Sequence, residues 1–403
     1  MRIVLINPCF SEGMGYIENC LPKALASLGH EVFLLTSTGQ VYFNHPFYKA
    51  TYKEFLGESV VEPVEKQIDG YVLKRLSFRL IAGKVLLKGL IKTIRQVDPD
   101  IVQTFDPFSL INIQVILAKP FMHYKIFTGN HIMQSVFPLA LSPGNKLILK
   151  RFLFYVTRTL PAKFFNVFIE KSFPITVDAW TISEKYYSIP VSKMRIIPLG
   201  IDTQLFQPPW TEQLLKKKED KRSEFGINND EILCIYTGRF SEGKNPLCLA
   251  HAVALLRSKG EKYKGLFVGH GVQLEKIREL DGCITLPFLK FSDLADIYLM
   301  GDIGVWPREE STSMLDASAS GLPLIISNKV QATERINDIG YTYIENDVTS
   351  MSTILLKLRS QEIRKILGRK GVERMVSHYS WIRMAELRIE EYHISDRKNL
   401  TNQ

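Results

Sequence analysis

Short apolar runs alternate with amphipathic stretches along the whole chain. Ile3–Ile6 ends in a glycine-containing loop, a helix is predicted from about Asn19 to Leu28, Gly29 stops it, and Val32–Leu35 follows as a strand. Further strands are predicted at Tyr71–Leu73, Ile101–Thr104, Lys125–Thr128, Ala179–Ile182 and Arg195–Ile197. The alternation breaks after Leu199-Gly200-Ile201-Asp202. There Gln207-Pro208-Pro209 is turn-prone, and Lys216–Lys218 with Glu219 and Asp220 reads as a solvated charge run. A second series follows, with strands predicted at Ile232–Thr237, Gly265–Val268, Cys283–Leu286, Ile303–Trp306 and Leu324–Ser327. Strand–helix–strand repetition implies parallel, doubly wound sheets, because parallel neighbours need a crossover. Two α/β domains of similar size are expected, 1–200 and 201–379, and the cleft between them is the default ligand site.

The most informative loop runs from Trp306 to Pro323. Strand Ile303–Trp306 stops at Pro307, acidic and hydroxyl residues follow, and a helix-like run spans Ser313 to Ser320. Such a loop sits at the C-terminal end of a parallel strand, where open α/β sheets bind ligands. N–H groups at the helix start suit a phosphate, and Asp316 can accept a hydrogen bond from a sugar hydroxyl. Gly238-Arg239-Phe240-Ser241-Glu242-Gly243-Lys244 occupies the equivalent place after Ile232–Thr237. Its two cations can converge on one diphosphate. Gly13-Met14-Gly15 and Gly269-His270-Gly271 follow strands and let backbone approach a ligand. Neither forms a dinucleotide fingerprint. His131, after Lys125–Thr128, is the histidine expected to face the cleft, where it could bond to a sugar or phosphate.

The 403 residues carry a net charge of +9, which favours anionic partners. The stretch 146–171 concentrates this charge in Lys146, Lys150, Arg151, Arg158 and Lys163, interleaved with aromatic and aliphatic residues. It reads as a surface for an anionic membrane, with a wet helix face as the alternative. No nucleic-acid module is recognisable, and nucleic acid is not expected as a partner. The odd set of five cysteines has no metal-ligand spacing and fits a reducing compartment. No run of about 18 apolar residues occurs and no signal peptide is evident, so a cytoplasmic protein is expected, with peripheral attachment to the inner membrane face as the open alternative. No metal motif is present; Asp98-Pro99-Asp100 reads as a strand-entry turn.

Together these motifs resemble the retaining GT-B glycosyltransferases of family 4 (glycosyl transferases group 1). The resemblance rests on the order of the Gly15 loop, Thr181-Ile182-Ser183-Glu184, Arg195 to Asp202, Gly238-Arg239 with Lys244, Gly269-His270-Gly271, Asp316 to Pro323, and Tyr379-Ser380-Trp381. It implies two Rossmann-like domains facing across a cleft, the first accepting the acceptor and completed by the last helix, about 380–403, and the second binding the donor. The implied activity is transfer of a sugar from a nucleotide-diphosphate donor to a glycan or lipid-linked acceptor, without cofactor or metal, in surface polysaccharide synthesis. Arg239 and Lys244 would bind the diphosphate, with Gly13, Gly15, Gly238, Gly269 and Gly271 around the nucleotide. Ser311, Ser313, Met314 and Leu315 would line the phosphate, Asp316 would bond the ribose, and His131 would lie near the transferred sugar. Arg308 stands where the family has its first acid, so Glu310, or else Glu309, takes that role. A non-catalytic nucleotide-binding or partner subunit, and a nucleotide-sugar epimerase or hydrolase, are the alternatives.

Overall fold

The computed structural model describes residues 1–132, 137, 139, 148–309, 311–330 and 336–400. The chain divides into two compact units, Met1–Gly200 with Trp381–Gln403, and Ile201–Ser380.

The first unit contains β1 (Arg2–Asn7), β2 (Glu31–Ser37), β3 (Glu65–Ile68), β4 (Tyr71–Leu76), β5 (Phe78–Ile81), β6 (Lys84–Leu87), β7 (Ile101–Thr104), β8 (Lys125–Asn130) and β9 (Ile169–Pro174). Among the described residues its main sheet has the order β3-β4-β2-β1-β7-β8-β9, and β5 pairs with β6 as a separate hairpin. The main sheet is parallel except for β3, which runs antiparallel to β4. Val4, Ile6, Val102 and Ile126 bury one face against Leu90, Ile94, Val115 and Ile116 of the crossover helices Leu90–Val97 and Leu110–Ala118.

Two strand predictions fail here. Ala179–Ile182 lies inside the helix Val177–Tyr187. Thr176 Oγ1 accepts from the Ala179 N–H at 3.3 Å, and Ser188 ends the helix at φ 53°. That local capping outweighs the strand-like apolar run. Arg195–Ile197 forms no regular strand, although its Arg195 and Ile197 N–H groups bond Ser172 O and Pro174 O at 3.1 Å. The strand it flanks is β9, which lay hidden inside the basic run because Glu170 and Lys171 interrupt its apolar pattern.

The second unit contains β10 (Ile232–Thr237), β11 (Tyr263–Val268), β12 (Cys283–Leu286), β13 (Ile303–Trp306), β14 (Leu324–Ser327) and β15 (Gly340–Tyr343). Its all-parallel sheet has the order β12-β11-β10-β13-β14-β15. Every residue of β10, β13 and β14 is buried, as expected when helices cover both faces. Chain order reverses direction between β10 and β13, and likewise between β1 and β7. These are the two topological switch points, where the loops beyond the strand ends splay apart and leave a crevice.

The last helix, Trp381–Leu400, packs back onto the first unit. Gly200 is required there, since a Cβ on it would lie 2.6 Å from the Trp381 indole. Tyr392 donates to Gln103 Oε1 at 2.6 Å, and buried Glu391 bonds Lys171 at 2.5 Å and Arg195 at 2.8 Å. Burial alone would raise the Glu391 pKa, but the bonds from Lys171 and Arg195 outweigh it and hold the carboxylate below its ordinary range. A depressed carboxylate stabilises the fold above its unfolded pKa and loses that contribution as pH falls through the native value. Glu391→Ala is expected to cost about 2 kcal/mol near neutral pH, because it strands two half-buried cations. The deficit should shrink as urea titrations move to acid pH.

Candidate functional site

The loops beyond β10 and β11 are tied together by their backbones. Gly238 N–H bonds Val268 O at 2.9 Å, Phe240 N–H bonds His270 O at 2.9 Å, and Gln273 N–H bonds Phe240 O at 3.1 Å. Only glycine fits at the crossings. A Cβ on Gly269 would stand 1.9 Å from Gly238 O, and one on Gly271 would stand 2.5 Å from Phe240 O. Gly238, Gly269 and Gly271 also hold φ of 144°, 147° and 155°. These glycines therefore let two protein loops meet, a reason distinct from the ligand approach expected of them.

On this platform the β10 loop meets the β13 loop. Lys244 Nζ, 17% exposed, pairs with Glu309 Oε2 at 3.2 Å. Gly243 makes room, since a Cβ there would come 3.1 Å from Glu309 Oε1. Arg308 donates to Glu242 O at 2.9 Å and lies 3.7 Å from Glu345. Arg239 is exposed at the loop surface. Pro246–Ser258 then begins as a helix, with Asn245 at φ 47° before it. Glu310 lies outside the described residues; Glu309 is the described acid at Lys244.

Helix Ser313–Ala319 follows the β13 loop. Its first N–H groups are not free. Ser313 N–H bonds Ser311 Oγ at 3.3 Å, Met314 N–H bonds Ser311 O at 3.2 Å, and Leu315 N–H bonds Thr312 O at 2.9 Å. Ser313, Met314 and Leu315 are the residues expected to offer these N–H groups to a phosphate. The loop curls into a tight turn that satisfies them internally, which a short helix without a side-chain cap requires. Asp316 is buried at 7% exposure. Burial, then the nearby charge of Asp202, raises its pKa well above the carboxylate range. The Tyr298 hydroxyl stands close by and meets Thr237 Oγ1 at 2.7 Å. The raised pKa favours the protonated carboxyl, a form able to donate as well as accept.

At the first unit's switch point, Gly13 adopts φ 77° and Gly15 does not take a positive φ. His131 follows β8, its ring 5.8 Å from that of Phe105. Its neighbour Asn130 is fully buried and donates to Ala179 O at 2.8 Å and to Ser183 Oγ at 3.0 Å, while accepting from Ile132 N–H at 2.9 Å. Burial, then Arg388, lowers the His131 pKa to about 4, so its imidazole is neutral at ordinary pH. Asp98 and Asp100 serve the strand entry, Asp100 Oδ2 accepting from Arg2 N–H at 2.6 Å. Among the described residues, no group of three His, Cys, Asp or Glu could hold a metal ion.

Residues 231–361 match the family model described as glycosyl transferases group 1. Spore coat protein SA of Bacillus subtilis (strain 168) is 28% identical over 234 residues, 53% of this chain and 61% of that protein. The chain thus aligns with less than two thirds of that relative. Alpha-monoglucosyldiacylglycerol synthase of Acholeplasma laidlawii is 22% identical over 340 residues, 81% of this chain and 77% of that enzyme. Anabaena Alr3699/HepE, solved in complex with UDP, superposes with a TM-score of 0.68 at 11% identity, covering 97% of this chain and 99% of its own. The chain has the GT-B fold, and residues 231–361 resemble the group 1 glycosyl transferases.

Sequence motifs found the loops but not every side chain near them. Glu18 was missed. It lies buried in the first turn of helix Ile17–Ser27, and burial pushes its carboxyl up to about 7. Asp106, just past β7, was also missed; burial raises its pKa too. A carboxylate shortly after a strand end or glycine loop was the available signal. Glu345 was missed because its partner Arg308 comes from a different strand end.

Two outcomes check this geometry. Gly269→Ala should destabilise the fold by at least about 2 kcal/mol in urea titration, since backbone blocks the new methyl. In NMR titration, the His131 ring should show no protonation step between about pH 5.5 and 8.

Proposed function

We propose that this chain transfers a sugar from a nucleoside-diphosphate donor to a hydroxyl, with retention of configuration and without a metal. The carrying observation is the meeting of the β10 and β13 loops at a switch point, with Lys244 held by Glu309 and Arg239 open to solvent. Charge grows on the diphosphate as the glycosidic bond breaks, and two fixed cations stabilise that charge in the transition state. In the resting protein Glu309 keeps Lys244 from being an isolated buried charge, and a diphosphate can replace it as partner. Asp316, its pKa raised by burial, bonds the donor ribose. His131, neutral, offers a hydrogen bond to the transferred sugar rather than a charge. Glu310 or Glu309 serves the sugar as the first acid. Gly13 and Gly15 let the β1 loop backbone approach the diphosphate closely.

UDP bound to Anabaena HepE supports a uridine or similar diphosphate as the leaving group. The resemblance to alpha-monoglucosyldiacylglycerol synthase supports a lipid-linked or glycan acceptor. So does the basic aromatic run. Its described part folds as helix Ile148–Phe154, a wide turn Tyr155–Thr159, helix Leu160–Phe165 and then β9, so it is not one amphipathic helix. Phe154 turns inward onto Phe137 and Tyr186. Phe152, Leu153, Tyr155, Phe164 and Val167 are exposed beside Arg151 and Lys163, an arrangement suited to an anionic membrane surface. No helix among the described residues is long and apolar enough to cross a membrane.

A second reading, a subunit that binds nucleotide without turnover, is favoured by one observation. Arg308 occupies the first acid's position and is engaged by Glu345. Lys244→Ala separates the two readings. Donor turnover, followed as nucleotide release from UDP- and GDP-sugars, should fall by about 100-fold or more. Circular dichroism and the melting temperature should barely change, because the partner Glu309 is half exposed. Unchanged turnover would refute the role given to Lys244. Nucleotide binding with no turnover by the parent protein would select the second reading.

A further inference from the structure

The segment between β2 and β3 carries a group of aromatic residues that the proposed transfer does not use. Tyr42 and Tyr52 stack with ring centroids 4.7 Å apart and planes 19° apart. His45 stands edge-on to Tyr52 at 5.5 Å, and Phe47 lies 6.0 Å from His45. The Tyr42 hydroxyl lies 3.0 Å from that of Tyr16, which directly follows the Gly13–Gly15 loop. Burial, then Tyr42, raises the Tyr16 pKa well above the phenol range. Tyr42 is 41% exposed and Phe47 67% exposed.

Three features separate this group from a patch of stray surface apolarity. First, Tyr42 adopts φ 63°, a conformation rare for a bulky side chain. Second, the segment is anchored: Val41 N–H bonds Ser11 Oγ at 2.9 Å, Ser11 Oγ bonds Gln40 Oε1 at 2.7 Å, and Gln40 N–H bonds Ser59 O at 2.9 Å. Ser11 and Gln40 are buried, so the rings rest on a fixed base. Third, the group lies beyond the C-terminal ends of the adjacent parallel strands β1 and β2, the ligand-binding edge of such a sheet.

We infer that Tyr42, Tyr52, His45 and Phe47 form a stacking platform for a pyranose ring of a saccharide. A pyranose presents a face of C–H groups that packs on an aromatic ring, and a rim of hydroxyls that the Tyr16 and Tyr42 phenols can bond. Aromatic side chains lose little rotamer freedom in such contacts, which suits a pre-set surface. The inference rests on the proposed transfer only in making this saccharide the acceptor; the binding surface itself stands on the first unit alone.

The test compares the full-length protein with Tyr42→Gly, which keeps the φ of 63° accessible while removing the ring, and with Phe47→Ala. Saturation-transfer NMR with cellotriose and maltotriose, melting shifts with UDP, and co-sedimentation with phosphatidylglycerol vesicles are measured on each. Ring C–H protons of at least one saccharide should receive saturation from the parent protein, and Tyr42→Gly should weaken that signal by about five-fold or more. The UDP shift should be unchanged. Equal signals from parent and variants, or none from the parent, would overturn the platform. So would loss of vesicle binding in place of the saccharide signal, which would assign these rings to lipid. If UDP leaves the melting temperature of every form unmoved while the saccharide signal still depends on Tyr42, the platform stands and the nucleotide-sugar reading falls.

Discussion

The candidate site depends on a steric condition, that two loop backbones in the second unit touch. Gly269 stands so close to Gly238 O that a methyl would sit 1.9 Å from it. The N–H and C=O groups of the β10 and β11 loops satisfy one another across that contact. Buried backbone polar groups need such partners, and with none the loops would splay. Because they cannot splay, Gly238 to Lys244 leaves β10 in one direction. Lys244 then arrives where the β13 loop carries Glu309. The electrostatics of the site thus follow from the absence of side chains at neighbouring positions.

Charge at the switch point is arranged in opposed pairs. Lys244 faces Glu309, and Arg308 faces Glu345. Burial raises the Glu345 pKa, but Ser327 and Lys329 more than compensate, so it remains an anion able to hold Arg308. Asp316, in the helix after the β13 loop, has its pKa raised well above the carboxylate range by burial and then by Asp202. Carboxyl groups near one switch point are therefore shifted in opposite directions, according to whether a cation is packed beside them. The first unit shows the same contrast. Glu391, between Lys171 and Arg195, is held ionised, whereas burial without a cation raises Glu18.

Much of the fold was legible because parallel strands buried on both faces must be continuously apolar. Ile232–Thr237, Ile303–Trp306 and Leu324–Ser327 could be bounded to the residue for that reason. Legibility failed where apolar runs had another explanation. Ala-Trp-Thr-Ile at 179–182 has strand composition, yet Thr176 caps a helix through it. Conversely, Glu170 and Lys171 disguise β9, because Lys171 faces Glu391, which lies 220 residues further along the chain. An edge strand whose polar residue is paired by a remote helix carries no periodic signal of its own.

The amino-acid sequence by itself determined the alternation of strand and helix, the glycine and basic loops at strand ends, and the surplus of positive charge. Each depends on neighbours along the chain, through hydrogen-bonding period, backbone freedom and charge count. Tertiary structure alone decided which acid meets Lys244, that the first N–H groups of helix Ser313–Ala319 are spent within their own turn, and that Arg308 is matched by Glu345. It also gathered Tyr16, Tyr42 and Tyr52 onto one surface, lowered the His131 pKa and raised that of Asp316. Those outcomes depend on packing between segments remote in sequence and on the water that packing removes. Neither quantity is written in any local pattern.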